Sequence, residues 1–254
     1  MIRALMLVCA LMLATPAFAQ TAPVPGANAP VTAPVTPDPG PPLLMLTRGK
    51  PTHPERLVML WYKMVGQTPD FMAWAKKSPF LKKAHADDYD TIVNNETNRL
   101  QQEWNEFDPT DMINVQVRIN LNRYSTLQEM LTLNEFTPST FFSFMMYDIN
   151  VAIVPQGIAE FHKMKKSKAE MNTMLEKAGG GQVTAEILLK PIQADSKTPF
   201  RHNKLSYWLI LGKIQEMRFW STANNQDTLL WMHRADDYHP AEDKSLLDLK
   251  AGAQ

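Results

Sequence analysis

The stretch His233-Arg234-Ala235-Asp236-Asp237-Tyr238-His239 gathers two imidazoles and two carboxylates within seven residues. Such a donor set suits zinc or a similar divalent ion, since imidazole supplies borderline-soft nitrogen and carboxylate adds charge. A metal held by His233, Asp236, Asp237 and His239 would activate water for hydrolysis, with His202 or His85 brought in by the fold. The competing reading, which we prefer, is a polar strand exit before Pro240 in which Asp236 or Asp237 caps a turn.

Four further groups can be read for chemistry or binding. His85, Asp87, Asp88 and Asp90 are acidic neighbours, and Ala-Asp-Asp-Tyr occurs at both 86–89 and 235–238. The flanks share no period, so the match reads as chance. On a helix the adjacent Asp87 and Asp88 point about 100° apart, poor geometry for a paired acid and base. His162, Met164, Met171 and Met174 offer imidazole and thioether donors for Cu(I). Met171 and Met174 also fit a buried helix stripe, and packing is the preferred reading. Lys163, Lys165, Lys166 and Lys168 form a basic surface for anionic lipid or polysaccharide, but without interleaved aromatics they read as solvated. Trp208, Trp220 and Trp231, with Tyr207 and Phe219, would form an aromatic binding surface if they share an uncovered sheet face. The alternative is that both faces are covered.

Composition narrows the chemistry. The chain has 254 residues, 26 basic and 26 acidic side chains and a single cysteine. A formal charge of zero gives no field to draw in nucleic acid, so no nucleic-acid partner is expected. Cys9 is the one thiol, which leaves no disulfide framework, and no Cys-based nucleophile or cluster once residues 1–19 depart. The sequence has no H-E-x-x-H, G-x-S-x-G, S-x-x-K, P-loop or EF-hand pattern. We therefore assign no catalytic residue and expect no cofactor, the alternative being the one divalent metal at 233–239.

The elements that position these residues follow from periodicity. Arg3, the apolar run Ala4–Ala14 and Ala17-Phe18-Ala19 read as a signal peptide cleaved between Ala19 and Gln20, giving a periplasmic or secreted chain. No later stretch has transmembrane length. Residues 20–42 alternate proline with small residues and read as a disordered linker. A helical segment is expected over 43–110. Thr52-x-x-Glu55 matches a capping box ahead of Leu57, Leu60, Trp61, Met64 and Val65. Further helices are expected near Asp70–Lys77 and from Phe80 to about Phe107, the last with one solvated polar face.

From Asp111 the period becomes two: Ile113, Val115, Val117, Ile119 and Leu121 alternate with polar residues. Strands are expected there and over 141–147, 150–154, 183–192, 205–220 and 228–232. A capped helix over 167–178 begins at Ser167-x-x-Glu170 and covers one sheet face. The expected fold is α+β: N-terminal helices, then a mostly antiparallel sheet of about six strands over 111–240, then a flexible tail at 241–254.

Three stretches stand out: Tyr147-Asp148-Ile149-Asn150-Val151-Ala152-Ile153-Val154-Pro155-Gln156-Gly157-Ile158 with the following Phe161 and Lys163, Tyr207-Trp208-Leu209-Ile210-Leu211-Gly212, and Phe219-Trp220-Ser221. Together they resemble a family of exported proteobacterial proteins known only as a domain of unknown function. The resemblance covers roughly residues 110 to 238, implies an envelope location, and carries over no activity and no site residue. The expected function is thus a non-enzymatic binding or interaction domain of the periplasm or envelope. Its partner would be another envelope protein or a cell-wall component. The metal-assisted hydrolase is the alternative, and the sequence does not fix the oligomeric state.

Overall fold

Five successive apolar side chains, Leu57 to Trp61, are all buried in the first helix, α1 (Pro54–Met64). A helix apolar on more than one side must be enclosed on more than one side. In the computed structural model the enclosure is a strongly curved, nearly barrel-shaped mixed sheet, and α1 packs against several of its strands. The described residues are 47–79, 81, 88–223 and 227–238, all within the unit spanning 45–254. The expected signal peptide, linker and tail lie outside them, as do His85, Asp87 and His239.

Two more helices follow, α2 (Phe71–Lys76) and α3 (Tyr89–Glu106). The strands are β1 (Ile113–Asn120), β2 (Tyr124–Ser125), β3 (Met130–Thr132), β4 (Phe142–Met146), β5 (Ile149–Gln156), β6 (Lys163–Lys165), β7 (Gln182–Ala194), β8 (Phe200–His202), β9 (Leu205–Ser221) and β10 (Thr228–Arg234). The helix α4 (Lys168–Ala178) lies between β6 and β7. The large sheet has seven strands in the order β1-β7-β9-β5-β4, with β8 and β10 also on β9, while β2, β3 and β6 form a separate small sheet.

This corrects the expected antiparallel six-strand sheet in two respects. β5 and β9 run parallel, Val151 to Gln156 against Trp208 to Lys213. The other correction is the strand count, seven in one sheet plus three in another. The α+β class and the covering helix α4 hold. The parallel pair escapes periodicity because Val151, Ala152 and Ile153 are all fully buried, so β5 shows no alternation to read. The seventeen-residue β9 curls enough to serve β5 and β10 along one edge through local bulges. The register skips at Gln215 of β9, Ile192 of β7 and Leu230 of β10, and each extra residue bends its strand.

The β4–β5 hairpin turns on Tyr147 and Asp148, both with positive φ (54° and 63°). Two left-handed central residues match the twist of a two-residue hairpin, a role usually given to Asn or Gly. Tyr147 is held there by its ring, stacked 4.8 Å from Trp74, and by its hydroxyl, which donates to Glu55.

The capping boxes divide. Ser167 and Glu170 bond reciprocally at the start of α4 as expected. At α1 the cap is His53, whose Nδ1 accepts from the Glu55 amide. Thr52 instead accepts the Asn114 amide through its hydroxyl at 2.8 Å, which ties the chain entering α1 to β1.

Candidate functional site

Two buried ionic clusters account for most of the charge in the interior. The first joins α1, α3 and the β4–β5 turn. Glu55, 5% exposed, receives both terminal nitrogens of Arg99, Nη1 at 2.9 Å and Nη2 at 2.8 Å. The same guanidinium donates through Nε to Glu96 at 2.8 Å and through Nη1 to Glu103 at 2.8 Å. Ser78 donates to Glu96 at 3.0 Å. One cation thus serves three carboxylates.

The electrostatics follow from that ratio. Burial works against ionising Glu55, but the hydrogen bonds from Arg99 and then Tyr147 outweigh it and hold its carboxyl below the ordinary range. Glu103 moves the other way, raised first by burial and then by its contact with Glu55. The bonds to Glu96 and Glu55 lock Arg99 in its charged form. Burial, followed by the Glu55 contact, pushes the Tyr147 phenol well above its usual range.

A carboxyl whose pKa is raised by folding adds stability only below its unfolded value and loses it as pH rises through the folded one. Glu103→Gln is therefore expected to raise the melting temperature near neutral pH by about 2–4 °C, the shift that about 1 kcal/mol gives in a domain of this size. The gain should shrink as pH falls through the raised range of the Glu103 carboxyl. Paired melts of both proteins across that range check it.

The second cluster lies on the sheet face turned away from α1. Glu186, 1% exposed, accepts from the Gly49 amide at 2.8 Å, Asn114 Nδ2 at 2.8 Å and Trp220 Nε1 at 2.8 Å. Arg218 lies 3.5 Å from Glu186 and also pairs with the fully buried Glu216, which Arg234 reaches at 3.0 Å. A side chain at position 49 would collide with Asn114 and Glu186, so Gly49 is what lets residues 49–52 run along β1.

The residues singled out from the sequence are dispersed among these elements. His233 lies on β10, its ring 5.0 Å from Phe161, and lines a hollow of about 280 Å³ with Gln156, Glu160 and Lys213. Asp237 is exposed and bonded by Lys213 at 2.6 Å, which lowers its pKa. Asp236 is exposed and His239 lies outside the described residues. Among the described residues no three His, Cys, Asp or Glu side chains gather as a metal site. His202, the other imidazole considered for that set, sits on β8 in an aromatic cluster with Phe141 and Phe200.

The three tryptophans do not share a surface, and Trp220 in particular overturns the exposed platform: it is 1% exposed and committed to Glu186. Trp208 packs 4.6 Å from Trp61 on α1, whereas Trp231 packs 4.6 Å from Phe219 beside α4. Lys163 and Lys165 are exposed around the buried Met164 on β6, and Lys168 opens α4. Lys166 is largely covered, its ammonium 5.4 Å from the Trp231 ring. Met171 and Met174 are buried in the core, and His162 bonds the Leu133 carbonyl at 2.9 Å. The polar face of α3 is not fully solvated, because Glu96 is 6% exposed.

The feature periodicity missed is the edge strand β4, Phe-Ser-Phe-Met-Met. Among the described residues it pairs only with β5, and none of the others bonds the backbone of 142–146. Phe142, Phe144 and Met146 face the core half-buried, and Met145 points outward at 67% exposure. The opposite edge differs. β1 carries Arg118, and Thr52 occupies both the N–H and the carbonyl of Asn114. A lack of charge and proline along 142–146 was there to be read in the sequence, but only the strand order shows that this strand is an edge.

Comparison of the chain with protein-family models, with curated proteins and with solved structures gives no match.

Proposed function

We propose that this chain is an exported envelope protein that works by holding an envelope protein partner through strand addition, as a binding domain without catalysis. The observation that carries the reading is β4, an open, uncharged, apolar sheet edge. Proteins normally blunt such edges with charge, proline, bulges or a covering segment, because free N–H and C=O groups template further pairing. β1 has both charge and cover. β4 has neither among the described residues, and its core-facing side chains stay half-buried for want of a neighbour. An added strand would satisfy the backbone groups and complete that burial. The export signal and linker read from residues 1–42 support the envelope location.

The test is a photo-crosslinking amino acid at Met145, with Leu127, 95% exposed and off the large sheet, as the control position. After irradiation of cells, a discrete protein adduct at 145 and none at 127 is expected. No adduct at 145, or a cytoplasmic location of the chain, would sink the reading.

A further inference from the structure

We infer that the strand added to β4 is β4 of a second copy of this chain, joined antiparallel about a two-fold axis at Phe144. The inference rests on the strand-addition reading and names its partner. A two-fold interface must be self-complementary, and β4 meets that condition. Centred on Phe144, the pairing sets Phe142 against Met146, Ser143 against Met145 and Phe144 against its own copy. Every pair is uncharged, so no like charges face each other, and the aromatic and thioether contacts lie on the side where Phe142, Phe144 and Met146 are half-buried.

The wider charge balance agrees. Loss of Arg3 with residues 1–19 leaves 25 basic against 26 acidic residues, a formal charge of −1, so two copies approach with almost no net repulsion. The chain's own leading segment is a poor rival, because residues 20–42 carry a proline every few positions and proline has no N–H for a ladder. The tail, 239–254, carries several charges that would lie beside Phe142 and Met146. Side chains add to the backbone pairing on the outer face as well, where Met145, 67% exposed, would lie opposite Ser143 of the second copy.

The test measures mass by sedimentation equilibrium for the purified chain and for the double variant Ser143→Lys, Met145→Lys, both positions being exposed. Twice the chain mass at tens of micromolar is expected for the native protein, with dimerisation weakened at least about tenfold in the variant, as facing lysines would impose. Hydrogen exchange of the native protein gives a readout that needs no variant: amides within 142–146 should gain protection as concentration rises. A native chain that is monomeric with concentration-independent exchange at 142–146 overturns the inference, as does a dimer that survives both lysines. If the Met145 crosslink then joins a different protein, strand addition stands and the second copy falls. If there is no crosslink at all, both fall.

Discussion

Arg99→Leu is expected to destabilise the fold by about 3–5 kcal/mol, because it strands carboxylates that are otherwise out of water. Glu55 and Glu96 are only 5% and 6% exposed, and Arg99 supplies Glu55's bidentate partner and Glu96's ion pair. Leucine fills part of the space but returns none of the donors. The loss should depend on pH with a definite sign. In the native chain Glu55 is held below the ordinary carboxylate range, so it contributes stability at neutral pH that disappears as pH falls through its lowered value. In the variant an ionised Glu55 is a burden, and acidification relieves it. Urea denaturation at neutral and mildly acid pH should therefore show the gap between the two proteins narrowing on the acid side. A gap that is small at neutral pH, or that widens with acid, would show that the carboxylates are hydrated. Because Glu55 also accepts from Tyr147 at the β4–β5 turn, the same variant should loosen the hairpin that presents the open edge.

Glu186→Leu is the second large effect, also about 3–5 kcal/mol, and its cause is the reverse: donors lose their acceptor. The amide of Gly49, the amide group of Asn114 and the indole of Trp220 all converge on this one carboxylate. Each buried donor left without a partner costs about 1–3 kcal/mol, reduced where water can reach it. Trp220→Phe removes one donor and leaves the acceptor bonded, so it should cost less than half as much. The midpoints of urea unfolding at constant slope separate the two variants. Equal losses would mean that the indole bond carries the cluster alone.

Much of the local structure was legible because single elements carry their own signals. Ile113 to Ile119 alternate and form β1 in the expected place; Ser167 and Glu170 cap α4 as their spacing requires. What failed to show were relations between distant elements. Glu55 has the spacing of a capping residue, yet Arg99, forty-four positions away, claims it. Glu96 and Glu103 sit at i−3 and i+4 from Arg99, a spacing that also describes an ordinary solvated ion-pair row. Only the approach of Glu55 on α1 turns the row into a shared site, with Glu96 buried while Arg99 and Glu103 stay 40% and 32% exposed. The aromatic strands were read as candidates for a shared surface, but the bulge at Gln215 changes the phase of β9, so Trp208 and Trp220 serve opposite faces. The edge status of β4 depends on strand order, which single-strand periodicity does not encode.

The enclosure of α1 also sets the order in which the chain can fold. The helix begins at Pro54, and β9, the last in sequence of the strands it packs against, ends at Ser221. A nascent chain therefore makes this helix, with its five consecutive buried apolar residues, early and cannot shelter it until most of the remaining sequence has emerged. Such remote pairing, with a parallel β5–β9 ladder at its centre, belongs to the slow end of single-domain folding, milliseconds to seconds instead of microseconds. For the proposed exported protein that delay is useful. In such a chain it would keep the polypeptide threadable during translocation, with α1 as the segment that a holding chaperone would have to cover in the meantime.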